Sequence, residues 1–175
     1  MPSFAEIKEH ICPGDILALH DEFVPTWYGL KIAGVQLATG KYCHVGILDV
    51  VDGEIRVYES VIPFIRNVLL QQTAAKGFYW IPLNKGLNDA ARAFALSKVG
   101  LGGYSQLEAI LAGVDAALQR ELPDDNQRDH LWECARFVRA VELRNNIFLG
   151  DYDVPTRIVE ACQLGYNAPV IEVTM

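Results

Sequence analysis

The stretch Tyr42-Cys43-His44-Val45-Gly46-Ile47-Leu48-Asp49-Val50-Val51-Asp52-Gly53-Glu54-Ile55-Arg56-Val57-Tyr58-Glu59-Ser60 decides how this chain folds. It holds two β-rich runs separated by Asp-Gly, the preferred two-residue hairpin loop. With that loop, Val51 pairs with Glu54. Counting outward then puts Glu59 opposite Gly46 and His44 opposite Val61. Side chains alternate between the two faces of a strand, so His44, Gly46, Leu48 and Val50 share a face with Val61, Glu59, Val57 and Ile55. On that otherwise apolar face His44 and Glu59 are diagonal neighbours, roughly 7–8 Å apart at the backbone. Gly46 leaves room between them. A histidine and a carboxylate that meet on an apolar surface are expected to hydrogen-bond, because neither is cheap to bury alone. The same pair, read blandly, is a satisfied buried polar contact with no chemistry attached.

Around this hairpin the remaining signals describe one α+β domain spanning residues 1–175. Cys12-Pro13-Gly14-Asp15 is a turn leading into a first strand, Ile16 to Leu19. Trp27 to Leu37 has the spacing of a short helix, and Gly77 to Leu83 reads as a strand. Asn88 is placed to cap a helix running to about Val99. Ser105, with Glu108 three residues on, opens a second helix to about Gln119. Glu121 to Arg128 is a polar loop. A helix beginning near Cys134 runs to about Asn145, Pro155 opens a last helix closing near Gly165, and Pro169 to Val173 is a final strand.

Composition narrows the function classes. The chain is 51 % apolar and 21 % charged, as a globular domain is, and 175 residues are enough for a substantial core. Twenty-two acidic residues against 15 basic ones give a net charge of −7, which argues against nucleic acid or an anionic membrane as the main partner. No stretch approaches the ~18 uncharged apolar residues of a membrane span, and Met1 to His10 lacks the apolar core of a signal peptide. The four cysteines, Cys12, Cys43, Cys134 and Cys162, form no CxxC pair. A cytoplasmic setting with free thiols is therefore the expectation; a protein exported without a signal, from a phage or a secretion system, has the same features. The oligomeric state is not legible.

Cys134 supplies what the hairpin lacks. Leu131, Phe137, Val138 and Val141 follow helical spacing and put Cys134 on the buried face. A lone cysteine there is usually a packed small hydrophobe. At a helix N-terminus, however, free N–H groups and the dipole stabilise a thiolate, and a nearby imidazolium adds to this. Asp125 and Asp129 are both possible caps, and the first would place Cys134 two turns inside the helix. The expectation is a helix that starts within about one turn of Cys134.

Several segments together resemble the permuted papain-like cysteine hydrolases of the NlpC-type superfamily, especially the YiiX-like branch. Pro13-Gly14-Asp15-Ile16-Leu17 is similar to the family's early Gly-Asp strand. Val35-Gln36-Leu37-Ala38-Thr39-Gly40-Lys41-Tyr42-Cys43-His44-Val45-Gly46-Ile47 resembles its passage into the histidine strand. Gly100-Leu101-Gly102-Gly103-Tyr104 resembles the segment before a helix, Cys134 to Val138 the nucleophile helix start, and Val154-Pro155-Thr156 the closing segment. The chain departs from the family where Ala135-Arg136 follows Cys134 in place of Ser-Glu, and where Cys43 precedes His44 in place of serine. The resemblance implies a circularly permuted papain-like fold whose antiparallel sheet packs against the nucleophile helix. It also implies Cys134 as nucleophile, His44 as base and then acid, Glu59 as the orienting third member, and the Cys134 N–H as an oxyanion donor. Tyr42 and Trp132 are candidates to line the site.

The activity this implies is an amidase, peptidase or acyltransferase that cleaves an amide or ester through a thioester. Its substrate is then a small peptide, a cell-wall peptide or an acyl group, and it uses no cofactor and no metal. Two other readings stand beside it. One is a catalytically silent module kept for binding or assembly. The other is a metal site at Cys43, His44 and Cys134, disfavoured because adjacent strand residues face opposite sides. His10, His20 and His130 read as surface residues, Cys12 and Cys162 as structural, and Asp124-Asp125 and Asp151-Asp153 as solvated loops.

Overall fold

The loop Asp52-Gly53 adopts positive φ at both residues, 53° and 80°, the backbone that a type I′ turn needs and that Asp and Gly tolerate. In the computed structural model, which describes residues 1–20, 41–61, 63–101, 133–150 and 154–175, that turn joins β2 (His44–Val51) to β3 (Glu54–Ser60). The register is the one that counting gives: Val51 with Glu54, Val50 with Ile55, Leu48 with Val57.

From the hairpin the sheet grows both ways. β1 (Ile16–Leu19) pairs with β2, and β4 (Ile65–Leu69) pairs with the far side of β3. β5 (Gly77–Ile81) lies on the other side of β1, and β6 (Ile171–Thr174) closes that edge. The described strands thus form a six-stranded antiparallel sheet in the order β4-β3-β2-β1-β5-β6. The α+β class expected from the sequence is what forms.

The two faces are covered unequally. On one, α3 (Asp89–Lys98), α4 (Cys134–Arg144) and α5 (Pro155–Tyr166) form a helical layer over the sheet. Ala91, Phe137, Val138, Val141, Ile158 and Cys162 pack there with Ile16, Val45, Ile47 and Tyr58. On the other, the described residues place two single-turn helices, α1 (Phe4–Ile7) and α2 (Leu70–Thr73), whose Ile7 and Leu70 meet Leu17, Leu48, Val57 and Trp80. Burial on both sides explains why the centre of β2 reads as an almost unbroken apolar run.

Local chemistry sets the boundaries. The Asn88 side chain accepts a hydrogen bond from the Ala91 N–H and starts α3. Pro155 sits in the first turn of α5, where a missing N–H costs nothing. That helix closes on Asn167 in the left-handed region rather than on Gly165, which lies inside its last turn. β5 ends at Ile81, two residues before the expected Leu83. Three elements were not legible in the sequence: α1, β4 and α2. The helices expected over 27–37 and 105–119 and the loop over 121–128 lie outside the described residues.

Two buried acids hold the end of β1 farthest from His44. The Asp15 carboxylate accepts from the Cys12, Leu83 and Asn84 N–H groups and from Trp80 Nε1, at 2.8 to 3.1 Å, and so locks the turn to β5. Glu142 on α4 is less well served. Its Oε2 accepts from Asn145 Nδ2 at 3.2 Å, while Oε1 has no partner among the described residues. Burial, opposed by the Asn145 hydrogen bond and reinforced by the charge of Asp15, pushes the Glu142 carboxyl up to about 8. Glu142 charge in turn adds to burial in raising the Cys162 thiol to about 12.

This makes stability pH-dependent with a fixed sign. A carboxyl raised from 4.5 to about 8 on folding contributes stability fully below its unfolded pKa and loses it as pH rises through its folded one. Between about pH 4.5 and 8, stability is predicted to fall by up to about 1.4 kcal/mol per pH unit on this account. Glu142→Gln, which keeps the shape without the proton, is predicted to flatten the profile in urea unfolding. Asp15, also raised by burial, is common to both proteins, so an equal fall in the glutamine variant would refute the assignment.

Candidate active site

His44 is the first residue of β2, and Glu59 lies one residue from the end of β3. Their side chains meet across the hairpin, His44 Nε2 to Glu59 Oε2, at 2.7 Å. Glu59 is 1 % exposed and His44 15 %. Gly46 makes the contact possible. A Cβ there would sit 2.7 Å from Val57 Cγ1 and 3.2 Å from the Tyr58 carbonyl oxygen.

α4 begins at Cys134 itself, with Glu133 in the N-cap position and extended backbone. The start falls where it was expected, although Asp125 and Asp129, the caps considered, lie outside the described residues. Phe137, Val138 and Val141 hold the helix against β2 and β3 and turn Cys134 inward. The thiol, 3 % exposed, lies close enough to the His44 imidazole and to the Val45 and Ala135 N–H groups for each to favour its ionised form. Because Glu59 occupies Nε2, Nδ1 is the ring nitrogen left for the thiol.

The second carboxylate oxygen of Glu59 has its own donors, which the sequence did not reveal. Arg66 Nε donates to Oε1 at 2.8 Å and its Nη2 lies 2.7 Å away, while Thr73 Oγ1 donates at 2.6 Å. Arg66 stands directly across from Glu59 in the β3–β4 ladder. Counting would have found it had β4 been recognised. Thr73 comes from the last position of α2, and no local pattern points from it to Glu59.

The electrostatics follow from this layout. Burial acts against the charged forms, yet the hydrogen bonds and charges of Cys134 and Glu59 raise the His44 imidazole above its ordinary range. Burial likewise opposes the Cys134 thiolate, and the hydrogen bond and charge of His44, with the two backbone N–H groups, bring the thiol below the usual range. For Glu59, burial is outweighed by His44, Thr73 and Arg66, which hold its carboxyl down at about 2. Cys12 and Cys162 are shifted the other way, upward by burial.

The other sequence candidates fall elsewhere. Tyr42 is buried, packs edge-on against Tyr79 with ring centres 5.3 Å apart, and donates its N–H to Thr156 Oγ1. It is a packing residue that ties α5 to the start of β2. Trp132, His130 and Asp124-Asp125 lie outside the described residues, as do Asp151-Asp153. His10 and His20 are on the surface. Among the described residues no three His, Cys, Asp or Glu side chains are gathered as a metal site needs, and no helix is long and apolar enough to cross a membrane.

No protein-family profile matches the chain, and no curated protein does. Among solved structures, the chain is similar to the metalloprotein YiiX from Escherichia coli O157:H7, at 18 % sequence identity. The match covers 93 % of this chain and 96 % of that one, with a TM-score of 0.46.

Gly46 offers a direct check on the geometry. Gly46→Ala puts a methyl group against the stiff Val57 side chain and the Tyr58 backbone, so β2 and β3 must part. The predicted cost is about 1–3 kcal/mol in urea unfolding, together with slower Cys134 alkylation as His44 moves off Glu59. An unfolding midpoint and an alkylation rate both equal to wild type would contradict it.

Proposed function

We propose that the chain is a cysteine hydrolase or acyltransferase in which Cys134 is the nucleophile, His44 the general base and acid, and Glu59 the orienting residue. The observation that carries this reading is the linear arrangement: a thiol at the first residue of a helix, against an imidazole whose other nitrogen is held by a buried carboxylate 2.7 Å away. A packing cysteine has no need of such neighbours.

The chemistry follows from the atoms. The Cys134 thiolate attacks the carbonyl carbon of an amide or ester, and the carbonyl oxygen becomes an oxyanion. The Cys134 N–H belongs to the first turn of α4, whose N–H groups have no intrahelical acceptor, and it is the natural donor to that oxygen. The imidazolium, through the Nδ1 proton, protonates the leaving amine or alkoxide as the tetrahedral intermediate collapses to a thioester. Neutral His44 then takes a proton from water, which attacks the thioester and releases the acid and the thiol. A second acceptor in place of water gives acyl transfer. Glu59 holds the ring in the tautomer this cycle needs and stabilises its cation.

The chain order, His44 and Glu59 before Cys134, is that of the permuted papain-like group. We read the fold as that permuted arrangement, with α4 as the nucleophile helix and peptide amides, including those of cell-wall peptides, as the target class. One observation favours a second reading. Cys134 is only 3 % exposed, as it would be in a silent binding module that has kept the fold.

Alkylation by iodoacetamide against pH, with adducts mapped by mass spectrometry, separates the two. Cys134 is predicted to react fastest among the cysteines, with an apparent pKa well below the ~8.5 of a free thiol. His44→Ala is predicted to return it towards that value, and Cys134→Ser to abolish both the label and thioester formation with an activated ester. An inert Cys134, with Cys12 or Cys162 taking the label, would overturn the hydrolase reading in favour of the binding module.

A further inference from the structure

The Glu59 carboxylate is divided between two jobs. Oε2 meets His44, and Oε1 receives two hydrogen bonds and an ion-pair contact from two residues of different character. Thr73 brings a neutral hydroxyl at 2.6 Å. Arg66 brings a full positive charge, 36 % exposed, through Nε and Nη2. The terminal torsion of a glutamate is broad and nearly two-fold, so an unpinned carboxylate presents either oxygen to the imidazole or turns out of its plane. These contacts remove that freedom.

α2 is a single turn placed immediately after β4, anchored by buried Leu70 and closed by the Ala74 N–H on the Leu70 carbonyl. Its final residue is Thr73. The hydroxyl donates to a side chain fourteen residues away in the chain rather than to its own backbone, the commoner partner for a threonine at a helix end.

We propose that Thr73 and Arg66 are positioning residues with opposed effects on the His44–Cys134 pair. Thr73 fixes which oxygen Glu59 turns to the imidazole, and Arg66 draws part of the carboxylate's charge away from it. The opposition is electrostatic. The thiolate–imidazolium pair is a dipole whose positive end faces Glu59. A cation behind Glu59 lies nearer that positive end than the thiolate, and so disfavours the charged pair while it stabilises Glu59 itself. Solvent around a guanidinium that is one-third exposed screens this effect and keeps it small. The Thr73 hydroxyl also stabilises ionised Glu59, but it brings no net charge to oppose the imidazolium, and its effect on the Glu59–His44 bond is alignment. Edge strand β4 and the turn after it thereby set the ionisation of a site whose reacting atoms lie on β2 and α4.

This inference rests on the hydrolase reading, and one experiment separates the two. The pH profile of Cys134 alkylation is measured in wild type, Thr73→Val, Thr73→Ser and Arg66→Gln, with melting temperature recorded for each. Thr73→Val is expected to move the apparent thiol pKa up by about one unit, and Thr73→Ser to restore it. Arg66→Gln is expected to move it down by about half a unit, because the shift is solvent-screened. A purely structural role predicts lower melting temperatures with profiles that coincide or shift in the same direction. Should Thr73→Val fail to fold, a downward shift in Arg66→Gln supports the proposal by itself, and no shift or an upward one overturns it. A depressed wild-type thiol that neither variant moves overturns this inference and leaves the hydrolase reading intact. An ordinary wild-type thiol overturns both.

Discussion

A single buried carboxylate, that of Glu59, makes the rest of the site intelligible. An ion of that size is costly to remove from water, and the charge survives at 1 % exposure only because every side of it is answered. His44 answers one oxygen, and Arg66 and Thr73 the other. Remove those partners and burial would neutralise the group. With them in place Glu59 stays anionic and favours the His44 imidazolium, which in turn favours the Cys134 thiolate. In the proposed mechanism the order of groups is a relay of position and protonation, in which each member keeps its neighbour in the state that acyl transfer needs.

The fold serves that relay by dividing it among elements that do not move independently. β2 and β3 are joined by a two-residue turn and paired from Val51–Glu54 to Ile47–Tyr58, so the backbone brings His44 and Glu59 within reach and the donors on Glu59 set the contact itself. The Cys134 end of α4 is fixed by a different device, the packing of Phe137, Val138 and Val141 on the sheet. The far end of the same helix carries Glu142, a buried acid with one oxygen unpartnered among the described residues. Sites built on strands and helix starts are more precise than sites on loops, and all three members of this one stand on such elements.

Much of this was legible in the residues, for identifiable physical reasons. Asp52-Gly53 admits one turn type, and period-two alternation then places His44 near Glu59 by counting alone. Asn88 and Pro155 mark helix starts because capping and a missing N–H are local effects, readable without the fold. β4 was not legible. Ile65-Arg66-Asn67-Val68-Leu69 is a short edge strand with polar residues in its middle and no turn signal like that of the β2–β3 hairpin. The cost of missing it was Arg66, whose role depends on lying opposite Glu59. Thr73 was illegible for a deeper reason. Its hydroxyl reaches Glu59 only after a strand and a helical turn have been folded back on the hairpin, and no propensity or period encodes that closure. Asp15 was read as part of a turn, and its four-donor clamp on Trp80, Leu83, Asn84 and Cys12 is likewise a property of the assembled sheet.

In the proposed site Cys134 is a thiolate paired with a His44 imidazolium well below the pH at which a free thiol ionises. Ultraviolet absorbance titration of the thiolate, taken as the difference between wild type and Cys134→Ser, measures that ionisation without any reagent having to reach a buried sulfur. Thiolate absorbance is predicted to persist below neutral pH and to be lost in His44→Ala. Absorbance that appears only near pH ~8.5 or above, in wild type and His44→Ala alike, would contradict it.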